Sequence, residues 1–216
     1  MTIQKQRMLD KKQSKQIEKD DKFSEFTPER INAFSDGIFA IIITIMILEL
    51  KLPSSPTFSA LFAEWPTWVS YLASYIFIAI VWINHHYLLK HSTMARLPLM
   101  WANFAHLFSV SLVPFSTNWM AETRLRSVPV VMYGFVFLLV NITYLLLIRE
   151  TVAAKKNADM PNGTKRLFLV RSALTMLIFG SGMVVALWYP YIGFGMICAC
   201  LTLYLRPDVP AIRMKV

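Results

Sequence analysis

The chain has 216 residues, 56% of them hydrophobic, with a formal net charge of +9 and a sequence pI of about 9.7. Mean hydropathy is +0.47, and the apolar residues fall in runs of about twenty, long enough to cross a hydrocarbon core of roughly 30 Å as helices. That pattern excludes an ordinary soluble domain, and the basic residues sit between the runs, where membrane orientation explains them better than nucleic-acid binding.

Residues 1–29 form a polar arm rich in lysine, including Lys5, Lys11, Lys12, Lys15, Lys19 and Lys22, and are expected on the cytoplasmic side. The first thirty residues hold no apolar h-region, so no cleavable leader is expected. Thr27-Pro28-Glu29-Arg30 reads as a helix start, with Thr27 as N-cap and Pro28 at the first helical position. Six spans follow, at about 30–51, 66–89, 97–120, 128–148, 167–187 and 190–205. Trp188-Tyr189-Pro190-Tyr191 marks an interfacial turn between the last two, and Trp65 and Trp68 mark another interface. The expected organisation is an all-α transmembrane domain over 30–206 and a short basic tail over 207–216. With six crossings both termini share a side, which receives 19 of the Lys and Arg residues against 3 on the other. Both termini are therefore expected in the cytoplasm.

Cys198 and Cys200 lie in the last run, two residues apart, with no further Cys or His to complete a zinc set. They read as packing residues, and no metal site or cofactor is expected.

The first span carries the chemistry. Arg30, Ser35 and Asp36 stand near the start of a membrane helix, where such groups are costly unless paired. On a helix, Ile41, Ile45 and Leu48 share a face that Phe34, Ile38 and Leu52 extend, and Asp36 lies about 140° from Ile41. The acidic group is thus expected to look into the subunit bundle while the aliphatic stripe looks elsewhere, with Thr44 flanking the stripe. Periodicity alone fits ordinary helix packing equally well, because most membrane helices carry an Ile/Leu face.

The spacing Arg30-x-x-x-Phe34-Ser35-Asp36, followed by Ala40 and Thr44, resembles the signature of the transmembrane-protein-175 family of potassium channels. Trp82-Ile-Asn84-His85 is similar to that family's Trp-x-x-His element, and Pro114-Phe115-Ser116-Thr117 to its Pro-Phe-x-Thr element. The match covers the first three spans in order; the last three align by hydropathy and length only. The resemblance implies a one-repeat, prokaryotic member: a homotetramer in the inner membrane whose first helices line a central pore. It implies aliphatic rings at Ile41, Ile45 and Leu48, with Thr44 hydroxyls beside them and K+ as the permeating ion. It also implies a polar network holding the pore helix, made of Arg30, Phe34, Ser35 and Asp36 with Asn84 and His85. Trp101 and Asn103 are expected as neighbours of that network, while His86, His91 and His106 have a weaker claim. No Thr-Val-Gly-Tyr-Gly loop is present, so a carbonyl-cage filter is not expected. A narrow apolar neck would instead favour the more easily dehydrated potassium weakly over sodium.

Two other classes remain open at this stage. A secondary transporter or proton-coupled cation permease would show broken helices at matching places in two halves, and Pro114 supplies one interruption without a visible repeat. A membrane enzyme is suggested only by Asp36, His85 and His86; no His-Glu-x-x-His or Gly-x-Ser-x-Gly motif supports it. Lipid is the expected surrounding, and neither nucleic acid nor a soluble substrate is expected as a partner.

Overall fold

The first long helix begins where its capping residues place it. In a computed structural model of the chain, Thr27 is extended (φ −81°, ψ 150°) and its hydroxyl accepts the Arg30 N–H at 3.4 Å, so α1 runs Pro28–Leu48. The structure describes residues 27–90, 96–153 and 162–204. The arm over 1–26, His91 and the tail over 207–216 lie outside the described residues. After α1 come a short α2 (Phe58–Ala63), capped by Thr57, then α3 (Trp65–Lys90), α4 (Leu97–Ser111) and α5 (Val113–Glu122). The chain continues through α6 (Ser127–Ala153), α7 (Asn162–Ala186) and α8 (Pro190–Tyr204).

The third expected span is broken in the middle. Pro114 has no N–H to give the preceding turn, and the helix divides at Leu112 into α4 and α5, which together cover Leu97–Glu122. Ser116 and Thr117 turn their hydroxyls back to the Val113 carbonyl, at 3.0 and 2.7 Å, and so supply carbonyl partners around the break. At the far end of α5, Arg124 and Leu125 take positive φ values of 52° and 58°, and their N–H groups close on Ala121 and Met120. That left-handed turn ends the helix and sends the chain into α6.

Among the described residues, four helical stretches are long and apolar enough to cross a membrane: Pro28–Leu48, Trp65–Lys90, Leu97–Glu122 and Ser127–Ala153. Within the last two expected spans the described residues hold apolar helical stretches at Ala173–Ala186 and Pro190–Leu201.

α6 is the hub, packed by α4, α5 and α7. It buries Tyr133, Val136, Phe137 and Val140, and Phe137 stacks on Phe77 of α3 with ring centroids 3.6 Å apart. The Ser74 hydroxyl joins Thr117 at 2.7 Å and Tyr133 at 3.0 Å, tying α3, α5 and α6 together inside the apolar core. The α7–α8 hairpin closes on bare backbone. A Cβ at Gly193 would stand 2.5 Å from Ala186 Cβ and 2.6 Å from the Gly182 carbonyl oxygen, so only glycine lets the two helices approach this closely.

Candidate functional site

α1 divides lengthwise into two faces. Ile31, Ser35, Phe39, Ile42 and Met46 are buried in the subunit, at the i, i+4 and i+3 steps of one helical stripe. A second stripe is exposed: Phe34, Ile41, Ile45 and Leu48 keep 52%, 57%, 42% and 80% of their surface. Ile38 is half-buried beside them. Thr44 flanks the exposed stripe and donates its hydroxyl proton to the Ala40 and Ile41 carbonyls, at 3.1 and 2.9 Å. Its oxygen lone pairs are thereby left free to accept.

The buried stripe rests on a chain of polar side chains. Ser35 Oγ donates to the Ile31 carbonyl at 2.8 Å and accepts from Asn103 Nδ2 at 3.0 Å. Asn103 Oδ1 then meets His85 Nε2 at 2.7 Å, so the imidazole donates from Nε2. The His85 ring stacks on His106, with centroids 5.6 Å apart and planes 8° apart. Thr143 spends its own proton on the carbonyls of Leu139 and Val140, so the 3.2 Å contact makes His106 Nδ1 the donor to Thr143. Ser35, Asn103, His85 and His106 are all buried, and the run links α1, α3, α4 and α6. The run is hydrogen-bonded from Ser35 to His85 and from His106 to Thr143, while the two imidazoles meet only by stacking and leave His85 Nδ1 and His106 Nε2 buried without a hydrogen-bond partner.

Asp36, expected to look into the subunit bundle, instead stands partly exposed to one side of this chain. Its Oδ1 accepts the Trp82 indole N–H at 2.8 Å, and Oδ2 lies 3.7 Å from His86 Nδ1. Asn32 Nδ2 reaches the same His86 nitrogen at 3.1 Å. Arg30 is exposed in the first turn of α1.

The structure therefore brings Ser35 and His85 together through Asn103 and seats Asp36 on Trp82 beside His86. It does not bring in Phe34 or Asn84. Phe34 lies on the exposed stripe and packs edge-on against Phe104 of α4, with centroids 5.8 Å apart. Asn84 is on the other side of α3; its carbonyl accepts the Tyr144 hydroxyl at 3.3 Å, and it lines a small cavity with His106, Asn141 and Tyr144. Of the two expected neighbours, Asn103 is the centre of the network, while Trp101 is exposed and packs on Phe104. His106 and His86 are the residues that sequence reasoning undervalued. His106 follows Asn103 by three residues, so helical spacing already put both on one face.

At the Leu48 end, Glu49 accepts from Asn118 Nδ2 of α5 at 2.8 Å. Lys51 pairs with Glu122, and that bond, with the attraction of the same carboxylate, raises the lysine's pKa above its usual value. Among the described residues no group of three His, Cys, Asp or Glu side chains is placed to hold a metal ion.

Comparison with known proteins identifies the family. The family described as "Endosomal/lysosomal potassium channel TMEM175" matches residues 30–114. A potassium channel from Chryseobacterium sp. (strain P1-3) is 32% identical over 183 residues, covering 84% of this chain and 94% of that protein. The endosomal/lysosomal proton channel TMEM175 of Danio rerio is 33% identical over 79 residues, which is 31% of this chain and 15% of that one. The fold also matches the crystal structure of a lysosomal potassium-selective channel TMEM175 homolog from Chamaesiphon minutus. That match has a TM-score of 0.72 at 23% identity and covers 82% of this chain and 95% of that chain. With 32% identity over most of the length of a bacterial relative, a family match over residues 30–114 and a shared fold, the chain belongs to the TMEM175 family of membrane channels.

Proposed function

We propose that the protein is a potassium channel whose conduction path is lined by the exposed stripe of α1, contributed by each subunit of a homotetramer. Six helices would cross a prokaryotic inner membrane, with both termini in the cytoplasm and residues 30–206 forming the channel domain. The observation that carries this reading is the division of α1. One face is anchored by a buried polar chain, and the other offers Ile41, Ile45 and Leu48 to the outside of the subunit. A helix whose position is fixed by hydrogen bonds on one side can hold an apolar neck of constant width on the other.

In this reading the rings at Ile41, Ile45 and Leu48 set a constriction that disfavours water and fully hydrated ions. Passage then requires partial loss of the hydration shell, which potassium gives up more readily than sodium. Thr44 eases that step, because its proton is committed to the helix backbone and its lone pairs are free to meet a cation. Selectivity of this origin is weak compared with a cage of carbonyls. Arg30, Ser35, Asp36 and His85 support the helix rather than touch the ion; Asn103 is the partner of Ser35 and His85, and Trp82 and His86 are those of Asp36.

A second permeant, the proton, draws support from the name of the zebrafish relative and from His86, whose Nδ1 faces both Asn32 and Asp36. The test is flux into liposomes carrying the purified protein, under potassium, sodium and pH gradients in turn. Potassium flux should exceed sodium flux, and Ile41→Ala should raise both and narrow the difference between them. Flux unchanged by Ile41→Ala would remove the constriction from Ile41, and acid flux without potassium flux would favour the proton reading.

A further inference from the structure

The Leu48 end of α1 carries a carboxylate where a helix ordinarily favours a cation. Glu49 is the C-cap residue, and the last turn of α1 contains no basic side chain. A helix C-terminus bears partial negative charge from its unsatisfied carbonyls, so Glu49 reinforces that potential instead of offsetting it. The side chain is exposed, yet its Oε2 is held by Asn118 Nδ2 at 2.8 Å. Nearby cations are directed elsewhere. Lys51 is paired with Glu122 and feels Glu49 only as a weaker attraction, and Arg124 donates to the Ala63 carbonyl at 3.0 Å.

Its placement relative to the stripe is what gives this carboxylate a role. Glu49 follows Ile45 by one turn, about 40° around the helix. Glu49, Ile45, Ile41 and Asn118 line one open groove between α1 and α5. The carboxylate thus stands at the end of the same strip of helix that carries the aliphatic residues, and each subunit of an oligomer repeats it.

We propose that Glu49, oriented by Asn118, concentrates cations at the Leu48-end mouth of the conduction path and raises the current entering from that side. This rests on the reading that α1 lines the path. Rings of acidic side chains raise the local cation concentration by a Coulombic effect that mobile salt screens, with a Debye length of about 10 Å at 0.1 M and about 3 Å at 1 M. The signature of such a residue is an effect confined to low salt and to one direction of current.

The experiment is single-channel recording of the full chain in planar bilayers, at roughly 20 mM and roughly 1 M potassium chloride. At low salt, Glu49→Gln should reduce current entering from the Glu49 side by roughly two- to threefold and leave opposite current nearly unchanged. At high salt it should match the parent. Glu49→Asp, which keeps the charge, should retain most of the low-salt current, and Asn118→Ala should show a smaller loss of the same kind. A loss equal at both salt concentrations, or equal in both directions, would overturn the proposal and make Glu49 a helix-positioning residue. An unchanged low-salt current would overturn it as well. Ile41→Ala separates the two readings. If it alters conductance while Glu49→Gln does not, only the mouth assignment fails; if it alters nothing, the lining of the path by α1 fails and takes the mouth with it.

Discussion

Around Ser35, Asn103 and His85 the subunit buries a run of hydrogen-bonded side chains, whereas around Phe137, Gly182 and Gly193 it buries aromatic rings and bare backbone. The two regions solve one problem differently. In lipid, the tails are as apolar as leucine, so helices gain little from hydrophobic burial and associate through close packing and hydrogen bonds. The α6–α7–α8 side uses packing, which any well-shaped apolar sequence can supply. The α1–α3–α4 side uses polar contacts, which fix the rotation of α1 about its own axis: Ser35 must meet Asn103, and Asp36 must meet Trp82. A scaffold needs proximity, but a helix that presents a chosen stripe needs a defined rotation.

That contrast gives measurable consequences. The largest belongs to the packed side. Gly193→Val places branched carbon where the Gly182 oxygen and Ala186 already stand within 2.6 Å of a Cβ, and backbone cannot step aside as a side-chain tip can. The α7–α8 hairpin should open at a cost of about 3 kcal/mol, seen as a lower melting temperature in detergent. A variant as stable as the parent would show that α7 and α8 do not pack this closely. Next is the polar side. Asn103→Leu leaves the His85 Nε2–H without its acceptor in a buried site and should cost about 2 kcal/mol. It should also alter channel currents, because it frees the rotation of α1. Gly193→Val, at equal residual folding, should leave the current per folded channel unchanged. Equal effects of the two substitutions on conduction would erase the distinction between scaffold and seat.

The sequence was most legible where local chemistry decides the outcome. Thr27 and Pro28 mark the start of α1, and a hydroxyl and a missing N–H suffice to place it. The stripes of α1 follow from a 3.6-residue period, so the shared face of Ile41, Ile45 and Leu48 was visible in advance, while its exposure was not, because the period alone fits packing as well. Partners across helices were less legible, because they depend on rotation and tilt that no single segment encodes. Asn84 was grouped with His85 by adjacency, yet neighbours on a helix point about 100° apart, and Asn84 faces Tyr144. Phe34 was grouped with Ser35 and Asp36 by the motif, and the same geometry puts it on the exposed stripe. Helix lengths near the end of the chain were hardest. The run of apolar residues from 167 to 205 is long enough for two crossings, but Pro190 divides it into stretches that hydropathy alone cannot apportion.

The smallest expected effect tests how much of the seat is buried chemistry and how much is rim. Trp82→Phe keeps an aromatic ring on α3 but removes the indole N–H that Asp36 accepts at 2.8 Å. Both groups are partly exposed: Trp82 keeps 39% of its surface, and the Asp36 side chain keeps 36%. The carboxylate can therefore turn toward water or headgroups when its donor is lost, and desolvation is only partial. The cost should be about 1 kcal/mol, half that of Asn103→Leu, and the melting temperature should fall by roughly 2–4 °C. Asp36 would still lie beside His86, so current should persist. A loss as large as that of Asn103→Leu would place the anchor of α1 at Asp36 rather than in the buried chain. No loss at all would leave Ser35 and Asn103 as the contacts that fix the rotation of the helix.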